Sequence, residues 1–476
     1  MEELKSAKTE IRRGASSSIE IQHQCTHVVN EIQEMLKHLE SPLSLKSCIY
    51  RVPDYLRKLK EEHYTPQVIS IGPFHHDAND KLQIMEQRKL RYLKYFIERV
   101  ENFGISLEDL VRIIKENEES IRCCYAETIH LDSDHFVKII TIDAIFILEL
   151  FWRDFFNDWK SEDNGARIET WLTSAIRFDL ILLENQLPFF ILEKLFDHAF
   201  ASHPSYSRSL IHVMTFYYFD YYNTQHISYS PLMQMKHFLD LLRTFWLPEE
   251  IPERGNDVVK HLHSATQLHE AGLAFKKDPS SCLLDIKFTK GALRMPPLTL
   301  DNSSETIIRN LLALEQCHYS DKAYITDYFI LFGFLINTNK DVNLLVRKGV
   351  MLNLLGNSDE ARNLVNSLVE NVIYVDMNSD FYRVCKELKA FYKRPWNRRI
   401  LEPSTLSGPV ARAEDEEDAS DFEPEENGDE EEEIDEEDED ENGGKVDVPA
   451  KRKRSDKDDL DDDDDGGEDD KRPSKR

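Results

Sequence analysis

The sequence predicts a mainly α-helical protein: a single large helical globular domain with a short β-hairpin near residues 283–295, followed by a disordered acidic tail. Three observations carry this. Apolar residues recur three and four positions apart through most of the first 396 residues. Glycine is scarce, 16 in 476 residues. The carboxylates are gathered at one end: of 89 Asp or Glu and 59 Lys or Arg in the chain, 33 acidic and 10 basic residues lie between Ala413 and Arg476. The first 412 residues keep 56 acidic and 49 basic groups, a mild imbalance, and enough Leu, Ile, Val and Phe to bury a sizeable core. The tail has too few apolar residues to offset the entropy of ordering. The chain divides into a polar, partly helical lead-in over 1–45, a helical domain over 46–398, and an acidic low-complexity tail with basic clusters over 399–476.

In chain order, Val28, Val29, Ile32, Met35 and Leu36 space out an amphipathic lead-in helix. Pro53, Pro66 and Pro73 then punctuate short extended pieces around a charged helical stretch, Asp54 to Glu62. Helices are expected over Leu82–Val100, Leu107–Thr128 and Ile139–Phe156. The block DLILLENQLPFFILEKLF, residues 179–196, is apolar on every face with Pro188 inside it, which predicts two deeply buried helical segments at the centre of the core. Phe216–Tyr229 has no clean period and reads as an irregular loop, followed by helices over Leu232–Thr244 and Val259–Lys276. Leu283–Phe288, a Thr289-Lys290-Gly291 turn and Ala292–Met295 form the hairpin, stopped by Pro296-Pro297. Asn302 with Glu305, and Asn357 with Glu360, resemble capping boxes opening two further helices. Periodicity ends near Trp396.

Seven cysteines, an odd number at irregular spacings without a C-x-x-C pair, fit reduced thiols better than a disulfide framework. The first residues lack the apolar core of a signal peptide, and the most apolar run, Ala144–Trp152, is interrupted by Glu149, so no transmembrane segment is expected.

Motifs for chemistry fail by spacing. His75-His76 with Asp77, and His261, His263 and His269 with Glu270, are the densest histidine groups. On a helix His261 and His263 diverge, and no H-E-x-x-H is present, so no metal is assigned. No G-x-S-x-G elbow occurs, and adjacent Cys317-His318 point apart, which leaves no catalytic residue to name. No glycine-rich phosphate loop exists, and no cofactor is expected. Asp179, Glu184, Asn185 and Gln186 lie in the most apolar block, where buried polar groups must be paired; a structural hydrogen-bond network is preferred there to a ligand site.

The segments IYRVPDYLR (49–57), YTPQVISIGPFHH (64–76), DLILLENQLPFFILEKL (179–195), ATQLHEAGLAFK (265–276), FTKGALRMPPLTLD (288–301), NLLALEQCHY (310–319) and LINTNKDVNLLVRKGVMLNLLG (335–356) together resemble the plant domain-of-unknown-function family 247, the UPF0481-type proteins. The resemblance covers roughly residues 48–396. It implies a plant-specific, mostly helical domain without an established catalytic activity, some members being associated with pollen–stigma self-incompatibility in grasses. Such proteins typically end in a hydrophobic transmembrane helix, which this chain replaces with the acidic tail.

Within that tail, Lys451, Arg452, Lys453 and Arg454 form a nuclear-import candidate, echoed by the basic residues of 471–476. Ser420 and Ser455 each have acidic residues at +1 and +3, which suits an acidophilic kinase. The leading expectation is a non-catalytic protein-interaction module in the nucleus or cytoplasm. Its partners would be an unidentified protein and, through the tail, basic proteins such as histones, without direct nucleic-acid binding. The alternatives are a membrane-associated signalling or self-incompatibility-type recognition component, as in anchored relatives, and an unrecognised enzyme.

Overall fold

The computed structural model describes residues 25–36, 44–76, 82–159, 169–201, 209–253, 257–373 and 377–394. The tail assignments, Ser420, Ser455 and Lys451 to Arg454 among them, lie outside the described residues, as do residues 1–24 of the lead-in.

Among the described residues sixteen α-helices carry the architecture. In the first half these are α1 (25–36), α2 (Asp54–Arg57), α3 (Gln83–Glu101), α4 (Leu107–Glu116), α5 (Glu118–Arg122), α6 (Ser133–Phe156), α7 (Thr170–Asp179), α8 (Phe189–Phe200) and α9 (Ser209–Phe219). The second half holds α10 (Phe238–Trp246), α11 (Ala265–Glu270), α12 (Ser304–His318), α13 (Tyr324–Leu335), α14 (Asn339–Arg347), α15 (Ser358–Leu368) and α16 (Ser379–Tyr392). Five short strands, β1 (Ala274–Lys277), β2 (Lys287–Thr289), β3 (Ala292–Met295), β4 (Leu298–Leu300) and β5 (Met351–Asn353), form two small sheets.

The long helix α6 is the axis of the first half. Asp132 caps it, accepting from the His135 amide at 2.9 Å, and Asn157 ends it in the left-handed region at φ 51°. It is buried on nearly every face and is wrapped by α3, α4, α8 and α9. Phe151 stacks on Tyr218 at 4.5 Å, and Trp152 on Phe200 at 4.8 Å. Glu149, the charge that interrupts the apolar run, is fully buried and clamped by Arg99 at 3.0 Å and Arg153 at 2.7 Å. A buried carboxylate is tolerable only when paired in this way. In the second half α12 packs against α10, α13 and α15.

The predicted hairpin is present, with a shorter first strand. β2 and β3 pair antiparallel, Thr289 opposite Ala292, through Lys290 and Gly291 at φ 47° and 75°, the signs a tight two-residue turn demands. β1 joins parallel to β3, and β4 pairs parallel with β5, neither of which the hydrophobic pattern signals.

Several predicted helices are redrawn. The Val259–Lys276 helix is reduced to α11, because Gly272 takes φ 92° and turns the chain into β1. The stretch 180–188 is buried but not helical. Side-chain amides capture the carbonyls a helix would use: Asn185 donates to Asp179 O at 2.9 Å, and Gln186 to Leu180 O and Leu182 O at 2.6 and 2.8 Å. Part of the aromatic stretch read as a loop is α9, whose apolar residues surround the helix and so erase any period. Asn302 and Glu305 form no capping box. Asp301 accepts the Ser303 and Ser304 amides instead, each at 2.9 Å. Asn357 does cap α15, accepting from the Glu360 amide at 2.8 Å. Helix α1 forms as predicted, with Val28, Val29, Ile32, Met35 and Leu36 exposed. Among the described residues no single helix is long and apolar enough to cross a membrane.

Gly72 lies in the buried loop 67–75 at φ 75°, and a Cβ there would stand 2.8 Å from Gln186 O and 3.0 Å from Tyr125 Oη. Backbone strain and overpacking together set the expected cost of Gly72→Ala at roughly 2–4 kcal/mol. Urea denaturation of the full chain measures it, and a loss below about 0.5 kcal/mol would contradict this placement.

Candidate functional site: a cleft above a buried polar clamp

Three of the four polar residues of the apolar block, Asp179, Glu184 and Asn185, reach the loop 67–75, each differently, while Gln186 turns the other way. Asp179 ends α7, and its carboxylate accepts from three successive amides, Gln67 at 2.9 Å, Val68 at 2.7 Å and Ile69 at 2.8 Å. Burial pushes its carboxyl up to about 6 against the pull of those amides. Asn185 Oδ1 accepts from Ile71 N at 2.6 Å while its amide donates to Ile69 O at 3.0 Å. Gln186 faces inward to α10, accepting from Phe238 N at 3.0 Å, and its backbone carbonyl receives Tyr125 Oη–H at 3.0 Å.

Glu184 is the most heavily engaged. Its Oε1 accepts from Val52 N at 2.8 Å and from Arg57 Nη1 at 2.9 Å. Its Oε2 lies 2.9 Å from His75 Nε2, close enough for charge attraction though not aligned as a hydrogen bond, and 3.8 Å from Arg51 Nη1. Burial alone would raise this carboxyl. His75, the Val52 amide and Arg57 outweigh it and hold the group below the usual carboxylate range.

The clamp has two members that the sequence reading missed. Lys89 is 1% exposed, on the buried α3 face of Met85, Tyr92 and Phe96, and its ammonium donates to Asp143 of α6 at 2.6 Å and to Ser70 O at 2.5 Å. The other Asp143 oxygen accepts from Gly72 N at 2.8 Å. A lysine on the apolar face of a long helix is the signal that could have revealed a buried acidic partner.

Over this clamp opens a cleft of about 880 Å³ lined by residues of 44–51, 73–74 and 119–131. Arg51 links the layers. Its guanidinium lies 4.5 Å over the Phe74 ring, donates to Glu127 at 3.0 Å on the rim, and reaches down toward Glu184. Phe74 meets Tyr125 edge-on at 5.3 Å. Arg122 closes the far side, donating to Ile129 O and Leu131 O at 2.8 and 2.9 Å while stacking on Phe136. The cleft thus presents two arginines and rim carboxylates over the largely buried rings of Phe74 and Tyr125, on a floor most of whose polar groups are paired.

The other marked residues are dispersed. His76 Nε2 lies 3.2 Å from His135 Nε2, and Asp77 is outside the described residues. The His261 and His263 rings adjoin at 5.3 Å rather than diverging, because this stretch is not helical. His263 stacks on Tyr392 at 3.5 Å, and His269 Nδ1 meets Leu273 O at 2.9 Å. Among the described residues no group of three or more His, Cys, Asp or Glu is placed to hold a metal ion. Burial pushes the Cys317 thiol up to about 12, while His318 sits between Tyr50 Oη at 2.9 Å and Lys236 Nζ at 2.7 Å.

A hydroxyl–imidazole–carboxylate set also occurs that no sequence motif announced. Thr306 Oγ1 lies 2.7 Å from His63 Nδ1, and His63 Nε2 lies 3.4 Å from Glu305, which is held in turn by Arg309 at 2.8 Å. The pocket beside it, about 340 Å³, is lined by Glu305 but by neither Thr306 nor His63, so a substrate there meets the acid and not the hydroxyl. The set ties the loop before Tyr64 to the first turn of α12.

Fold and site define a helical domain organised by buried side chains that clamp irregular backbone. Residues 49–404 match the family described as "Plant protein of unknown function", domain-of-unknown-function family 247, and the chain belongs to that family. It is similar to the Arabidopsis thaliana "UPF0481 protein At3g47200", 29% identical over 394 residues that cover 75% of this chain and 80% of that protein. It is also similar to "Putative UPF0481 protein At3g02645" of the same plant, 22% identical over 449 residues covering 74% and 83%. No solved structure matches.

Two outcomes follow from this geometry. Asp179→Ala strands three amides and is expected to cost roughly 3–5 kcal/mol, with Asp179→Asn, which keeps one carbonyl acceptor, costing less; chemical denaturation at pH 7 ranks the pair, and equal losses would show that the amides are not the cause. Glu305 is raised by burial, but His63 and Arg309 overcome this and hold it down to about 2. The stability it contributes is fully present above the unfolded carboxyl value of about 4.3 and is lost as pH falls toward 2. Unfolding free energies of the wild type and Glu305→Gln should therefore converge between about pH 4.5 and 2. A difference between them that does not change with pH would refute the assignment.

Proposed function

We propose that this chain is a non-catalytic recognition module that binds another protein through the cleft above the clamp, and that its acidic tail adds a nuclear address and affinity for basic proteins such as histones. The observation that carries the reading is the composition of the cleft. Arginine and aromatic side chains dominate the energy of protein interfaces, and Arg51, Phe74 and Tyr125 stand together over a floor that is already hydrogen-bonded. Such a surface is preorganised for a partner at low entropic cost. For the tail, the excess of 33 acidic over 10 basic residues after Ala413 supplies a long-range attraction for cations that weakens with salt. The run Lys451 to Arg454 supplies the form an import receptor reads, and Ser420 and Ser455 are sites where phosphorylation would deepen the charge.

The test uses the full chain from plant nuclear extract with Arg51→Glu and Phe74→Ala combined. Salt-insensitive partners should weaken by about tenfold or more while basic proteins are still captured at low salt. Unchanged recovery of the salt-insensitive set would overturn the cleft reading. Replacing Lys451 to Arg454 with alanine should move a fluorescent fusion from nucleus to cytoplasm, and unaltered nuclear signal would remove the import assignment.

A further inference from the structure

The first extended segment of the domain pairs with the body through an isolated parallel bridge, Ile49 opposite Tyr125. The amides of Cys48 and Ile49 both donate to Cys124 O, at 2.9 and 3.0 Å, and Ala126 N returns to Ile49 O at 2.9 Å. This register sets Cys48 opposite Cys124, one residue earlier on each side, and side chains opposite one another in a ladder leave on the same face. Both thiols are free and buried, and the Cys124 thiol donates to Ser120 O at 3.3 Å. Paired positions of this kind fall within the Cα separation of roughly 4.4–6.8 Å that a disulfide spans. The neighbouring Cys123 faces the other way, into the lining of the cleft.

We propose that Cys48 and Cys124 form an oxidative modification site, a vicinal dithiol across the bridge that hydrogen peroxide converts to a disulfide. The contact with Cys48 holds Cys124 below the ordinary thiol range against its burial, with Lys46 assisting. The same contact, together with burial, pushes Cys48 up. Attack by Cys124 with resolution by Cys48 gives the same disulfide as the reverse order. The Cys124 sulfur attacks one peroxide oxygen; the O–O bond breaks, a sulfenic acid forms, and the departing hydroxide leaves as water with the thiol's proton. The Cys48 sulfur then attacks the Cys124 sulfur, the S–O bond breaks, and a second water leaves with the Cys48 proton. Two thiols and one peroxide become one disulfide and two waters, the two electrons passing from sulfur to oxygen. The cross-link would staple the segment before α2 to the loop after α5, at the edge of the cleft.

The full chain, reduced, desalted, exposed to hydrogen peroxide and then blocked with N-ethylmaleimide, should give a tryptic species joining residues 47–51 to residues 123–138. That species should be two hydrogens lighter than the sum of its peptides and separated by dithiothreitol. Tandem mass spectrometry must place the bridge on Cys124, and Cys123→Ala must retain it. The oxidised chain should melt a few degrees above the reduced one, and Cys48→Ala should leave Cys124 reactive to dimedone after peroxide. Full maleimide labelling of Cys48 and Cys124 after peroxide, with oxidation appearing elsewhere, overturns the proposal, as does a bridge from Cys48 to Cys123. The wild-type peptide map decides the matter even if a cysteine variant fails to fold.

Discussion

The described fold depends on buried carboxylates that satisfy backbone amides outside regular structure. A helix uses its own carbonyls, but a buried loop has none to spare, and each unpaired amide costs about 1–3 kcal/mol. This chain meets the demand with acids. Asp179 serves residues 67–69 and Asp143 serves Gly72. Glu184 serves Val52, and Asp240 serves Lys236. Glu315, clamped by Arg243, accepts the Ile325 and Thr326 amides at the start of α13, and Asp327 accepts Asn378 N where α16 begins. Where the acid is also within reach of a cation, as with Asp143 and Lys89, their attraction and the added hydrogen bonds offset part of the desolvation, and burial still holds the Asp143 carboxyl above its ordinary range.

One result is that the connection 67–75, without helix or strand of its own, is held by Asp179, Asn185, Asp143 and Lys89. Phe74 and Tyr125 are held from beneath, while Arg51 and Glu127 pair at the solvent-facing rim. Another is a division of charge. The acids of the folded body are largely spent internally or in surface pairs, while the tail concentrates carboxylates that the sequence leaves without an equal number of cations.

Much of this was legible in the sequence, and the exceptions share a cause. Helices with one apolar face, such as α15 through Ala361, Leu364, Val365 and Leu368, declare themselves by spacing. The hairpin is declared by its turn residues. The site block 179–186 was recognisable because polar residues in an apolar run must be paired, and each of the four is. What could not be read is which backbone each one serves, because Asn185 and Gln186 break the helix by capturing carbonyls four and six residues back, an effect no periodicity contains. Helices apolar all round, α9 and α13, likewise carry no period. Lys89 goes unmarked by the local pattern because its partner, Asp143, lies 54 residues away.

The clamp also fixes how the chain must assemble. Gln67 to Ile69 meet Asp179 across more than a hundred residues, Asn310 joins His63 to Leu183, and His237 reaches back 189 residues to Cys48 O. Contacts of that sequence separation require large loops to close before any reward arrives, which slows folding. During synthesis the segment 48–75 must wait for acids that leave the ribosome long after it, so the early chain exposes unpaired backbone until the middle of the domain has been made.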